Sequence, residues 1–344
     1  MNRVLIAGAL ICVTATPALA TEMTVISYGG VSKTVQTEVF YQPFEAAHQV
    51  KLIAGEYNGE MGRIKVMVDT NSVSWDVVQV EGDDLVRGCE EGLFEPLDQA
   101  RLGKQEDFVP GTLSDCGAGL LVWSMALAYN TDALKTAPEG WQDFWDIKKF
   151  PGKRSLRRGP KFNLEAALMA DGVPREQVYQ VLGTPEGVDR AFSKLDEIKP
   201  YIQWWEAGAQ PMQFLASNDV VMTTAFNGRI FAAEQSGAPI KPIWNGSIYS
   251  IDYWAIPRGS KHKALAEDFI AFTLRPENQQ KHTTQLGYGS VNVHTAGLLD
   301  PALARQLNTA PDNMARSMAV SSEFWIDHGE ELQERFNAWV ARKG

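Results

Sequence analysis

Phe226-Asn227-Gly228-Arg229 opens a stretch that continues as a helical segment to about Ser236 and closes on Ser250-Ile251-Asp252-Tyr253-Trp254-Ala255-Ile256-Pro257. It carries one cation and one anion, each set beside aromatic side chains. Asp252 interrupts an otherwise apolar, strand-like run, where a carboxylate is rarely buried without a partner. Arg229 stands at the opening of a helix, just after Asn227-Gly228. A guanidinium there can hold a carboxylate through two parallel hydrogen bonds. The residues alone leave two readings of equal weight. In one the two charges hold opposite ends of a small zwitterion; in the other they hold no ligand, and either pair with each other or leave Arg229 a solvated helix residue.

The chain before this stretch alternates strand and helix. Residues 23–27 form a β-rich run ending in Tyr28-Gly29-Gly30. A helical pattern over 32–47 places Val35, Val39, Phe40 and Phe44 on one face, with a kink at Pro43. A strand at 50–54, a helix at 59–69 and a strand from Trp75 to Val80, ending in Glu81-Gly82, follow. Such alternation predicts a mainly parallel sheet. Ligands of such sheets sit beyond the carboxyl ends of the strands, here Tyr28-Gly29-Gly30 and Glu81-Gly82. Further on come a long apolar strand over 119–129, strands at 202–205 and 219–224, and a closing amphipathic helix over 329–341. The length suits two domains of ordinary size, and no flexible linker separates them. The chain is therefore expected to cross between two bodies in strands.

Met1-Asn2-Arg3, the apolar run from Val4 to Val13 and Ala18-Leu19-Ala20 make a charged, apolar and small-residue series. It reads as a signal peptide cleaved after Ala20, too short in its apolar part to span a bilayer. The expected location is the periplasm. Cleavage removes one basic residue, leaving 31 Lys+Arg against 42 Asp+Glu. An acidic chain without a large basic cluster is a poor nucleic-acid binder. Cys89 and Cys116 survive processing, and in an oxidising compartment a lone pair is expected to bridge. The five histidines lack metal-ligand spacing, and no phosphate loop, dinucleotide fingerprint or nucleophile elbow is present. No cofactor, metal or catalytic residue is expected, and the balance tilts away from an enzyme.

The order of these elements resembles the extracellular solute-binding proteins of ABC importers, closest to the spermidine/putrescine-binding group. The resemblance rests on Trp75-Asp76-Val77-Val78, Gly92-Leu93-Phe94-Glu95-Pro96-Leu97-Asp98, Leu127-Ala128-Tyr129-Asn130, Ser217-Asn218-Asp219-Val220 and Asp252-Tyr253-Trp254-Ala255-Ile256-Pro257, in that order. It implies an α/β, two-lobe periplasmic binding protein of type II, with a ligand cleft between lobes joined by crossing strands and closed by a hinge. Lobe 1 would comprise 21–125 and 254–300, and lobe 2 would comprise 126–253 and 301–344, with no single sheet continuous through both. The implied partner is an ABC permease in the inner membrane, and a monomer is expected.

Where the chain departs from polyamine binders is informative. Tyr28-Gly29-Gly30 replaces a Trp-Ser-Asp-like loop, Arg158-Gly159-Pro160 replaces an acidic turn, and Phe226 and Arg229 stand where Trp and Asp are expected. The acid Asp252 is kept. One amine-binding carboxylate thus remains and another has become a guanidinium, which would repel a diamine. An ω-amino acid satisfies both groups, and 4-aminobutanoate (GABA) is the expected ligand, as in the GABA-binding members of the group. A polyamine is the alternative.

Around Arg229 and Asp252 the reading places Tyr28 and Phe226 against the aliphatic stem, although each could equally be core. Gly29 and Gly30 let backbone amides approach, or form a plain turn. Ser124 is a hydroxyl donor for the carboxylate. Glu81 is a second amine partner or a solvated cap. Tyr288 closes the cleft. Trp204 and Tyr253 favour packing, and Arg158 favours a solvated loop over a second carboxylate clamp.

Overall fold

The computed structural model describes residues 21–342, so the leader read at 1–20 lies outside the described residues. Ten strands occur among them: β1 (Glu22–Ser27), β2 (Lys51–Glu56), β3 (Val77–Glu81), β4 (Leu113–Ser114), β5 (Gly117–Asn130), β6 (Arg154–Arg157), β7 (Ile202–Trp205), β8 (Met222–Phe226), β9 (Ile240–Ala255) and β10 (Met318–Ala319). Their hydrogen-bonded order is β2-β1-β3-β9-β5-β8-β6-β7. In the first half β1 lies parallel to both β2 and β3. In the second half β6 lies parallel to both β7 and β8. The two parallel triplets flank a central antiparallel pair, β5 and β9. Parallel strands need covered faces, which is why Val25, Val77, Val78 and Val80 are wholly buried and read as apolar runs rather than alternating ones.

The crossing strands explain one departure from expectation. Hydrogen bonding runs continuously through both halves, because β5 and β9, of 14 and 16 residues, are long enough to pair in each. The two halves meet at a break in their register. Met125 faces Ile248, but Leu127 faces Ile243, so β9 bulges out between the two pairings. Gly246 in this bulge has φ 78°, and a Cβ there would meet the Trp141 ring at 2.6 Å. Any other residue would need both strain and displacement at that point. β10 pairs alongside, at Ile248 and Tyr249.

The helix expected over 32–47 is broken into Gly30–Gln36, a wide π-type turn at Thr37–Tyr41, and Gln42–His48. Pro43, lacking an N–H and crowding the carbonyl four residues back, is the cause. The final helix runs Ser322–Ala341, several residues longer than its amphipathic part suggested, with Ser321 Oγ accepting from Phe324 N at 3.2 Å as its cap. It docks on the second half: Trp204 packs edge-on against Phe336 and Trp339, and Trp339 Nε1 donates to Asp196 at 2.7 Å. Cys89 and Cys116 are joined, their Cα atoms 6.1 Å apart, tying the helix Gly82–Glu90 to the start of β5. No helix among the described residues is long and apolar enough to cross a membrane.

Candidate functional site

A cleft of about 490 Å³ opens where the carboxyl ends of β1 and β3 face the end of β8 and the helix Asn227–Gln235. Tyr28, Gly29, Gly30 and Glu81 line it from the first half, and Phe226, Arg229 and Tyr288 also line it. Asp252 forms part of the floor between them. The period of a strand puts Asp252 on this face, directly across from Glu81 of β3.

Asp252 is buried, at 8% exposure, and both its oxygens already accept hydrogen bonds. Gln79 Nε2 donates to Oδ2 at 2.7 Å, and Trp123 Nε1 donates to Oδ1 at 2.9 Å. Gln79 is itself fixed. Its Oε1 accepts from Gln36 Nε2 at 3.1 Å, and Gln36 Oε1 accepts from the Tyr41 hydroxyl at 2.9 Å. The Tyr57 hydroxyl donates to the Gln79 carbonyl. The amide of Gln79 is thereby oriented with its NH2 group towards Asp252. Burial, followed by the charge of Glu81, pushes the Asp252 carboxyl up to about 7, against the lowering effect of the Gln79 and Trp123 donors.

Arg229 lies in the first turn of its helix and is exposed. Among the described residues no ion pair within 4.0 Å involves Arg229 or Asp252. The two charges therefore share one cleft without neutralising each other. Asn227 holds the start of that helix, its Oδ1 accepting from Ser124 N at 2.8 Å and its Nδ2 donating to Gly287 O at 2.9 Å. Gly228 follows because a Cβ there would stand 2.6 Å from the Tyr288 ring. Burial pushes the Tyr288 hydroxyl up to about 12, reinforced by Asp252 and opposed by Arg229.

Aromatic rings supply the walls. Tyr28 stacks on Tyr57 at 5.4 Å, and its buried hydroxyl has no hydrogen-bond partner among the described residues. Burial first, and then the charge of Asp252, raise that hydroxyl well above the ordinary tyrosine range. Phe226 meets Trp123 and Trp205 edge to face, at 5.4 and 5.9 Å.

Four expected residues lie elsewhere. Ser124 is wholly buried in the crossing strand, where its Oγ accepts from Asn308 Nδ2 at 2.9 Å. Tyr253 points to the face opposite Asp252 and donates to Gly111 O at 2.9 Å. Trp204 belongs to the seat of the last helix described above. Arg158 lies outside this cleft, half exposed, with its guanidinium 3.7 Å from Glu206. The sequence reading missed Gln79, Trp123, Gln36 and Asn227. Gln79 carried a usable signal, a polar residue inside Val77-Val78-Gln79-Val80.

Residues 40–302 match the model of the bacterial extracellular solute-binding proteins. The chain belongs to that family. A gamma-aminobutyric acid-binding protein of Pseudomonas aeruginosa is 54% identical over 328 residues, covering 95% of this chain and 93% of that one. The spermidine/putrescine-binding periplasmic protein of Escherichia coli is 25% identical over 232 residues, covering 64% of this chain and 65% of that one. The solved structure of the Atu4243 GABA receptor superposes with a TM-score of 0.84 at 33% identity, over 94% of this chain and 99% of that chain. The two-lobe fold of periplasmic binding proteins follows. Within this solute-binding protein, β5 and β9 are the strands that pair in both halves and the cleft is the space between the halves.

Proposed function

We propose that this chain is the substrate-binding component of an ABC importer, exported to the periplasm by cleavage after Ala20, and that it captures GABA for an inner-membrane permease as a monomer. The observation that carries the reading is the pair Arg229 and Asp252, opposite charges lining one cleft without pairing. A zwitterion loses strong hydration on entering such a cleft, and only charged partners replace it. Asp252 receives the ammonium, aided by Glu81, and Arg229 receives the carboxylate. Tyr28 and Phe226 flank the methylene stem, Gly29 and Gly30 admit its approach, and Tyr288 shuts the far side. The high identity to a protein named for GABA binding supports the same ligand. Residues 21–125 with 254–300 would close against 126–253 with 301–344 about the bulge in β9, because groups from both must meet around one molecule.

The neighbouring acids Glu81 and Asp252 favour a second reading, a polyamine. Isothermal calorimetry with GABA, putrescine and spermidine separates the two. GABA is expected to bind, and Arg229→Asp is expected to abolish that binding. Tight binding of putrescine or spermidine with none of GABA would replace the proposal. Small-angle scattering should show a smaller radius with GABA bound; an unchanged radius would contradict closure.

A further inference from the structure

Beside the GABA cleft lies a second chamber of about 330 Å³. Glu81 and Trp123 line both spaces, so the two are contiguous. Three cations face the second chamber: Arg157, Arg158 and Lys161. Two of them have counterions. Lys161 pairs with Asp83 across from the opposite half, and Arg158 lies 3.7 Å from Glu206. Arg157 has neither an ion pair nor a hydrogen-bond acceptor for its guanidinium among the described residues. It is held instead by aromatic faces, 5.5 Å from the Phe226 ring centre and 5.9 Å from that of Trp205. Arg157 is partly buried and lines the open chamber, so its donors are available to an acceptor that enters there.

The loop that carries Arg157 is built rather than slack. Phe162 takes φ 74°, a left-handed conformation that is strained for a bulky side chain. Asn163 Nδ2 donates at 2.6 Å to both Arg157 O and Gly159 O, pinning the backbone at the point where the arginine leaves the strand. The charges along the two spaces then alternate: Arg229 in the first, Asp252 and Glu81 at the junction, Arg157 in the second.

We infer that the chamber at Arg157 is a second anion subsite, and that the protein also takes amines flanked by two carboxylates. In such a ligand one carboxylate meets Arg229 and the ammonium lies between Asp252 and Glu81, as the GABA reading requires and on which this inference rests. The second carboxylate, carried on the nitrogen or its adjoining carbon, reaches Arg157. Burial lowers the Arg157 pKa, and Glu81 opposes that shift. The ammonium would draw on Glu81, and the incoming carboxylate would take its place as the anion near Arg157.

The test is calorimetry with GABA and with N-(carboxymethyl)-4-aminobutanoate on the parent protein and on Arg157→Ala. The parent should bind both. Arg157→Ala should weaken the dicarboxylate about tenfold or more, the scale of a lost hydrogen bond to a charged group, and change GABA affinity by less than about twofold. The retained GABA binding also shows that the variant folds. If the parent binds GABA and not the dicarboxylate, the subsite is overturned while the GABA reading stands. If Arg157→Ala weakens both ligands equally, Arg157 serves closure, pairing with Glu81 across the cleft, and the subsite is again overturned. Binding of the dicarboxylate alone would keep the subsite and remove GABA as the ligand.

Discussion

Asp252 and Arg229 stand in one cleft in opposite conditions. Asp252 is buried in the central crossing strand, and two fixed donors hold its oxygens. Arg229 is exposed on the first turn of a helix, with no ion pair among the described residues. The anion is organised before a ligand arrives, whereas the cation is free to settle on it. On the proposed reading, ammonium recognition would be built into the first half and the hinge. On the same proposal, carboxylate recognition would be completed when the second half closes.

The contrast can be broken most readily at the acid. Asp252→Ala leaves a ligand ammonium without its buried counterion, and should cost about 2–5 kcal/mol of GABA binding, mostly through faster dissociation. Calorimetry and stopped-flow release measure both. An effect smaller than that of Arg229→Ala would reverse the order proposed here.

Acid should act on the same group. An ammonium binds the carboxylate form, and the carboxyl of the ligand-free protein is pushed up to about 7. GABA affinity should therefore be full above about pH 7 and fall by about tenfold per unit below it. Stability of the ligand-free protein should move the other way. A carboxyl raised from 3.8 contributes stability present below pH 3.8 and lost as pH rises through about 7. Melting temperatures with and without GABA should thus separate as pH increases. A flat difference between pH 5 and pH 8 would show that Asp252 is ionised throughout.

At the cation the effect should be smaller and of another kind. Arg229→Ala should cost about 1.5–3 kcal/mol, the range for a hydrogen bond to a charged group. Because Arg229 is exposed, the parent affinity should also weaken with added salt, and the variant should lose part of that dependence. Identical salt slopes in parent and variant would place Arg229 outside the binding event.

The smallest change should come from the support of the acid. Gln79→Leu removes one donor to Asp252 and leaves Trp123 in place, at a cost of about 1.5 kcal/mol. That donor lowers the Asp252 pKa, so its loss should move the midpoint of the affinity against pH upward. A lower affinity with an unmoved midpoint would make Gln79 a packing residue.

Much of this was legible in the sequence because the signals were local. Tyr28-Gly29-Gly30 and Glu81 were placed by the rule that ligands lie beyond parallel strand ends, and they line the cleft. Asp252 was found as a charge in an apolar strand. The same alternation of faces excludes Tyr253, since neighbours on a strand point apart. Ser124 lies outside the cleft for another reason, and Trp204 packs as its favoured reading had it. Their surroundings are made by Asn308 and by the last helix, which no local pattern connects to them. Gln36, Gln79 and Asp252 join across 43 and 173 residues of sequence. A single sequence holds no periodicity that reports such a contact. Arg157 and Arg158 are adjacent, and only the packing of Arg157 against Phe226 and Trp205 distinguishes them.

The central claim is that Arg229 and Asp252 hold opposite ends of one ω-amino acid. Its most direct test is calorimetry of GABA and butan-1-amine, in which a methyl group replaces the carboxylate, on the parent protein and on Arg229→Ala. The parent should prefer GABA by about tenfold to a hundredfold, and Arg229→Ala should bind the two amines alike. If Arg229→Ala keeps the full preference for GABA, another group holds the carboxylate and the clamp is wrong.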